Sequence, residues 1–232
     1  KKGVLTMQGM SYEKRIELGN QVPTLGQFQV IKQIPQYQTC EVHNLVPAPK
    51  DVPETLKHVV FNIERGVTLH ETIDFLKMCL DLKDIDIIYA NELDDGAERS
   101  GNQNVAMEIA KAIGMNYAYG LEFIELVNPN DEKGFHGNAL FSRWPIRWAK
   151  AVHLPEQYNW YFDRQKRIGA RVGIVCSLDV GGREVGAVVV HLENHGQCGQ
   201  SCTNGCDLSG NPAFVCAGCA SYDWRRFEYQ YI

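Results

Sequence analysis

The sequence has no surplus of basic charge: 23 Lys and Arg against 28 Asp and Glu leave a formal charge of −5. A polyanion therefore meets no long-range attractive field, and any polyanionic substrate would have to be held by local basic residues or by bound cations. No apolar run approaches the ~20 residues needed to cross a bilayer, so no membrane span is predicted. No signal-peptide pattern opens the chain. Its first residue is Lys1 rather than Met, which leaves room for a removed presequence and leaves the compartment open. Internal repeats and low-complexity tracts are missing too. What is present is 232 residues of 44% hydrophobic composition, enough for one large domain or two small ones with a real core.

The texture of the chain changes twice. Residues 1–56 are polar and carry Pro23, Pro35, Pro47, Pro49 and Pro53, with one short amphipathic stretch, FQVIKQI, that fits a strand; they read as an N-terminal extension. Over residues 57–195 short apolar runs alternate with helical patterns, the rhythm of an α/β domain. Residues 196–232 are rich in Gly, Cys, Asn and Ser and follow neither period.

Within the α/β part, HVVFNIERG reads as a strand buried on both faces, because Val59, Val60, Phe61 and Ile63 crowd together. Asn62 among them is then a buried amide in need of partners. TLHETIDFLKMCL places Leu69, Ile73, Leu76 and Leu80 at helical spacing, and DIDIIYAN is a second buried strand ending at Asn91 and Glu92. SGNQNVAMEIAKAIG is the clearest helix, with Ser100 and Gln103 in capping-box spacing and Gly114 as its stop. YAYGLEFIEL, GNALFS, RVGIVCSL and EVGAVVVHLENH follow as strands, the last two joined through Gly181-Gly182 as a hairpin.

Asn62, Glu92, Glu122 and His191 fall at or near the C-terminal ends of separate strands, where α/β sheets commonly gather ligand groups. One strand-end polar residue is more often a loop anchor than a ligand. An amide, two carboxylates and an imidazole together could hold a hard cation and leave an acid/base pair beside it. In NELDDG, Asp94 and Asp95 compete with Glu92 for a cation. Glu125 competes with Glu122, since residues three apart on a regular strand point to opposite faces and only one of the two can then face the site.

The ordered set FNIERG, DIIYANELDDGAERSGNQNVA, MNYAYGLEFIEL, GFHGNALFSRWPI and VVVHLENH resembles the endonuclease/exonuclease/phosphatase superfamily, the deoxyribonuclease I-like metal-dependent phosphohydrolases. The resemblance runs over residues 57–195. It implies an α/β/β/α sandwich, here incomplete at its C-terminus, and a hydrolase acting on phosphoesters of nucleic acids, phosphoinositides or small phosphodiesters. It also implies roles. Asn62 is similar to the amide that contacts the scissile phosphate or supports the metal shell, and Glu92 to the carboxylate that binds Mg²⁺ or Mn²⁺. His191 is similar to the histidine at the leaving-group side, with Glu122 orienting it. Asn138 resembles a site-lining amide, and Arg171 a phosphate contact.

The departures are as informative. The family's second half supplies a Gly-Asp-x-Asn motif and a terminal Asp-His pair that activates water; neither is present, and CDLSGN at Asp207 has Ser209 where Asn is expected. A non-catalytic phospholigand- or protein-binding domain is therefore the alternative to an enzyme, and no particular protein partner is predicted. The tail spaces Cys198, Cys202, Cys206, Cys216 and Cys219 near His195, open to structural zinc, to disulfides or to neither. Cys79 and Cys176 read as core residues. YNWYFDRQKR combines aromatics with Arg164, Lys166 and Arg167, either a binding surface or a loop with its aromatics tucked under. His136 and His153 have no metal-ligand spacing.

Overall fold

Successive residues of a strand point to opposite faces, and the apolar runs of this chain are sorted by that rule into two cores. The computed structural model describes residues 6–193. It contains β1 (Cys40–His43), β2 (His58–Arg65), β3 (Ile87–Asp95), β4 (Asn116–Glu125), β5 (Phe135–Ser142), β6 (Ile146–His153), β7 (Arg167–Gly169), β8 (Val172–Val180) and β9 (Arg183–Val190). The helices are α1 (Tyr12–Gly19), α2 (Val22–Leu25), α3 (Gln27–Ile31), α4 (Leu69–Met78) and α5 (Val105–Ile113). The larger sheet has the order β1-β4-β5-β3-β2 with β7 also on β4, and the smaller has the order β6-β8-β9. Only β2 and β3 run parallel; the other neighbours are antiparallel.

Ile88 and Ala90 of β3, Tyr117, Tyr119 and Leu121 of β4, and Ala139 and Phe141 of β5 share the first core with residues of all five helices. Ile87, Ala118 and Leu140, from the alternate positions of the same strands, pack instead on Ile174, Cys176, Ala187 and Val189 of the smaller sheet. The layers are thus helices, large sheet, small sheet. The outer helical layer of the implied α/β/β/α sandwich is not among the described residues, and Trp148 and Val188 stand exposed on that outer side.

Three expectations are corrected. β2 is the end strand of its sheet, with Val60 67% exposed and Asn62 also exposed, so it is covered on one face only. Its apolar crowding mimics a doubly covered strand because Val59, Phe61 and Ile63 alone suffice for the helix side. FQVIKQI forms α3 and a following turn, burying Val30, Ile31 and Ile34. α5 is capped by Asn104, whose side chain accepts from the Met107 N–H at 2.8 Å, not by Ser100. Gly114 does end it, at φ +68° in the left-handed region. Gly181 and Gly182, both at positive φ, make the β8–β9 turn.

The segment read as an extension packs into the first core through Leu18, Val22, Val30, Ile31 and Tyr37, and β1 joins the large sheet beside β4. Arg15 is fully buried and donates to the carbonyls of Glu125 and Asp131. Each helix there is short, so few apolar residues announced it. The cysteine tail lies outside the described residues. Cys176 is buried, Cys79 half-buried, and neither is paired among the described residues.

Candidate active site

Three strands of the large sheet carry a local break in register: β2 between Asn62 and Arg65, β3 between Ala90 and Leu93, and β4 between Leu121 and Phe123. Each break inserts residues into one strand that the partner does not match. On β3, Ala90 and Leu93 both lie in the helix-side core, so Asn91 and Glu92 together turn to the side of the small sheet. Leu121 and Ile124 bracket Glu122 and Phe123 in the same way. Glu92 takes φ +60°, a conformation that costs a non-glycine residue about 1–2 kcal/mol. The Asn138 Oδ1 accepts its N–H at 3.3 Å and steadies the bulge.

The result is a polar row across four neighbouring strands. Asn62 lies opposite Asn91 in the β2–β3 register, Asn138 falls between the partners of Ala90 and Leu93, and Gly120, two residues before Glu122, pairs with Asn138. His191, one residue past β9, closes on this row from the small sheet. Its Nε2 is 3.7 Å from Glu92 Oε1 and its Nδ1 is 3.7 Å from Glu122 Oε2. Both are too long for hydrogen bonds. The direct contact comes from Arg171, whose Nη1 lies 2.9 Å from His191 Nδ1 and 3.4 Å from each Glu122 oxygen. Glu122 therefore acts on His191 through an arginine rather than by direct hydrogen bond. A guanidinium only donates, so Nδ1 must accept and the ring proton sits on Nε2, on the Glu92 side.

Arg171 is itself placed by stacking, 5.5 Å from the Phe123 centroid and 5.7 Å from that of Trp160. Trp160 is buried, so YNWYFDRQKR tucks this aromatic under the site while Phe162 stays 69% exposed. Asn62 uses its Oδ1 to accept the Glu64 N–H at 2.8 Å, which leaves its amide NH₂ uncommitted among the described residues. Asn138 is fully buried, with an Nδ2 that has no partner among the described residues.

The competing acids are engaged elsewhere. Asp94 takes two hydrogen bonds from Arg99, at 2.6 and 2.8 Å, and lies 2.8 Å from His136 Nδ1. Burial alone would raise its carboxyl, but Arg99 and His136 outweigh burial and hold it below the usual range. Asp95 pairs with Lys133 at 2.8 Å. Glu125 accepts from Arg99 at 2.9 Å and from Gln165 at 3.1 Å. It shares the Glu122 face because the β4 bulge cancels the alternation that a regular strand would impose. Among the described residues Glu92 alone of these acids has no hydrogen-bond donor on its carboxylate, and its side chain is 26% exposed. The neighbouring Asn91 Oδ1 is buried without a partner among the described residues. These oxygens suit a hard cation such as Mg²⁺ or Mn²⁺, which takes one or two carboxylates and keeps several waters. Among the described residues no group of three or more His, Cys, Asp or Glu forms a protein-only metal cage.

The bridging arginine, the Phe123–Trp160 platform and Asn91 are the residues that sequence reasoning missed in these roles. One signal was readable. In YANEL and GLEFI two consecutive residues separate inward-facing apolar ones, which is the pattern of an inserted residue rather than of alternation.

Comparison with known proteins finds no matching family model and no matching characterised sequence. Two solved structures are similar. One is an endonuclease/exonuclease/phosphatase family protein from Leptotrichia buccalis C-1013-b, 16% identical over 60% of this chain and 55% of that one, with a TM-score of 0.43. The other is SmcL, 13% identical over 60% of this chain and 48% of that one, with a TM-score of 0.37. The chain thus spans about half the length of each. No helix among the described residues is long and apolar enough to cross a membrane.

Proposed function

We propose that the chain carries the metal-binding and leaving-group side of a phosphoesterase site, hydrolysing a phosphodiester or phosphomonoester with Mg²⁺ or Mn²⁺. The observation that carries this reading is the polar row from Asn62 to Glu122, met by His191 from the opposite sheet with Glu92 on one ring nitrogen and Arg171 on the other. Glu92, with the amide oxygen of Asn91 nearby, would hold the cation, which when bound offsets charge building up on the phosphate. The Asn62 NH₂, uncommitted among the described residues, would donate to a phosphate oxygen. Arg171 keeps the His191 proton on Nε2, from which the neutral ring can donate a hydrogen bond to the departing oxygen and stabilise the charge that develops there. The net charge of −5 favours a small phosphodiester over bulk nucleic acid.

No residue among those described stands assigned to water activation, so turnover should be at least about a hundredfold below that of a phosphoesterase with such a group in place. The test is the rate with Mn²⁺ on two phosphodiesters, one with a nitrophenyl and one with an alkyl leaving group. An alkoxide leaving group builds up more charge than a nitrophenolate and gains more from that hydrogen bond. His191→Ala should therefore slow the alkyl ester by about 10²-fold and the aryl ester far less. Equal losses on both would remove His191 as the hydrogen-bond donor to the leaving oxygen. Binding of the esters without turnover of either would favour the non-catalytic alternative.

A further inference from the structure

Next to the site lies a cation that the fold leaves short of partners. Arg167 opens β7, and its side chain is only 5% exposed. Its guanidinium lies 4.8 Å from the Trp160 centroid and 5.2 Å from that of Phe123, the same two rings that carry Arg171. Nε is 3.2 Å from Glu125 Oε1, a charge contact without the alignment of a hydrogen bond. That oxygen already accepts from Arg99 and Gln165. None of the guanidinium N–H groups of Arg167 donates to a described residue. Nε is sealed from solvent, so the terminal nitrogens are the ones left to face outwards.

Arg65, on the bulged end of β2, donates to Gln165 Oε1 at 3.3 Å and has no acidic partner among the described residues. Arg65, Arg99 and Arg171 are close enough to add to burial in lowering the affinity of Arg167 for its own proton, although Glu125 opposes them. An almost wholly buried guanidinium with its Nε sealed from solvent and no aligned acceptor among the described residues is a costly arrangement for a fold to keep. A flat, stacked fork of unused donors is also the arrangement that recognises phosphate in a bidentate way.

We propose that Arg167, with Arg65 beside it, is a subsite for a second phosphate of the substrate, carried near the one cleaved between Glu92 and His191. This rests on the phosphoesterase reading for which phosphate is cleaved, but the subsite is detected by binding alone. The substrate class is a phosphodiester bearing an additional phosphate, as opposed to one whose remainder is neutral or cationic. The shared indole platform explains the pairing of the two sites: Trp160 holds Arg171 toward His191 and Arg167 toward the neighbouring group.

The test compares binding by calorimetry, in EDTA so that nothing turns over. The probes are thymidylyl-thymidine and its 5′- and 3′-phosphorylated forms. A second pair, glycerophosphoinositol and its 4-phosphate, tells whether the added phosphate comes from a nucleotide or an inositol. At least one phosphorylated probe should bind about tenfold or more tightly than its parent, the gain expected of a charge-assisted contact. Arg167→Gln should bring that gain to within about twofold while leaving the parent probe's affinity unchanged. Arg65→Gln, at a half-buried position, should reduce the gain at least about threefold and decides the matter if Arg167→Gln fails to fold. No gain for any phosphorylated probe, or a gain that survives both substitutions, overturns the proposal. A chain that shows the Arg167-dependent gain but no Mn²⁺-dependent cleavage would instead overturn the phosphoesterase reading and leave the subsite standing.

Discussion

Asp94, Arg99, Glu125 and His136 meet at 2.6 to 2.9 Å, with both carboxylates almost wholly buried. Nearby, with its two carboxylates on the same two strands β3 and β4, the set Glu92, Glu122, Arg171 and His191 combines the same side-chain types, but only the Arg171–His191 contact is short and the others are 3.4 to 3.7 Å. Glu92 and His191 keep 26% and 21% of their side chains exposed. In the first cluster every acid has an aligned donor, so it can bind nothing more and serves as a lock. In the second, one carboxylate and one ring nitrogen remain available. Residue type does not separate the two; alignment and the number of spare acceptors do.

The largest expected effect lies in the lock. Asp94→Ala leaves Arg99 and His136 facing each other without their shared carboxylate, and breaking a buried pair in this way costs about 3–5 kcal/mol. Urea unfolding should show that loss. Glu92→Gln, at a site with no aligned donor, should stay within about 0.5 kcal/mol of the parent chain. If the two substitutions cost the same, the distinction between lock and open site fails.

A smaller effect follows from pH. The Asp94 carboxyl lies below its unfolded value, so as pH falls the unfolded chain takes up the proton first. The stability that Asp94 confers is therefore fully present above its unfolded pKa of about 3.9 and is lost as pH falls through the folded one. The gap between the parent chain and Asp94→Ala should hold steady from neutral pH down to about 5 and close below about 4. A gap that widens in acid would mean that Arg99 and His136 do not hold this carboxyl in its charged form.

The smallest effect is a matter of assignment. Nitrogen chemical shifts of His191 should show a bare Nδ1 and a protonated Nε2 in the neutral ring, because Arg171 donates to Nδ1. A proton on Nδ1 would place Glu122 back as its direct partner and break the arginine bridge.

The fold was legible where hydrophobic periodicity is long. The central strands, α4, α5 and the Gly181-Gly182 turn stand where the pattern put them, except that α4 ends at Met78 and Leu80, read as part of its apolar face, is 84% exposed beyond it. It was illegible where elements are short: α1 to α3 each bury few residues, and β1 is four residues long. Exposure was misread on β2, because a sequence does not state which strand ends the sheet. Asn62, Glu92, Asn138, Glu122 and His191 are brought together as a row and its cover. What their spacing could not give is the arginine between Glu122 and His191, since two long contacts and one short one depend on side-chain placement within ångströms.

The most direct test of the central claim is a calorimetric titration of the chain with Mn²⁺, repeated with Glu92→Gln after its melting curve is shown to match. The open carboxylate of Glu92 is held to be the anionic ligand of the cation, so the substitution should weaken binding by about tenfold or more with the fold unchanged. Equal affinity of the two chains for Mn²⁺ would contradict the account and remove Glu92 from the site.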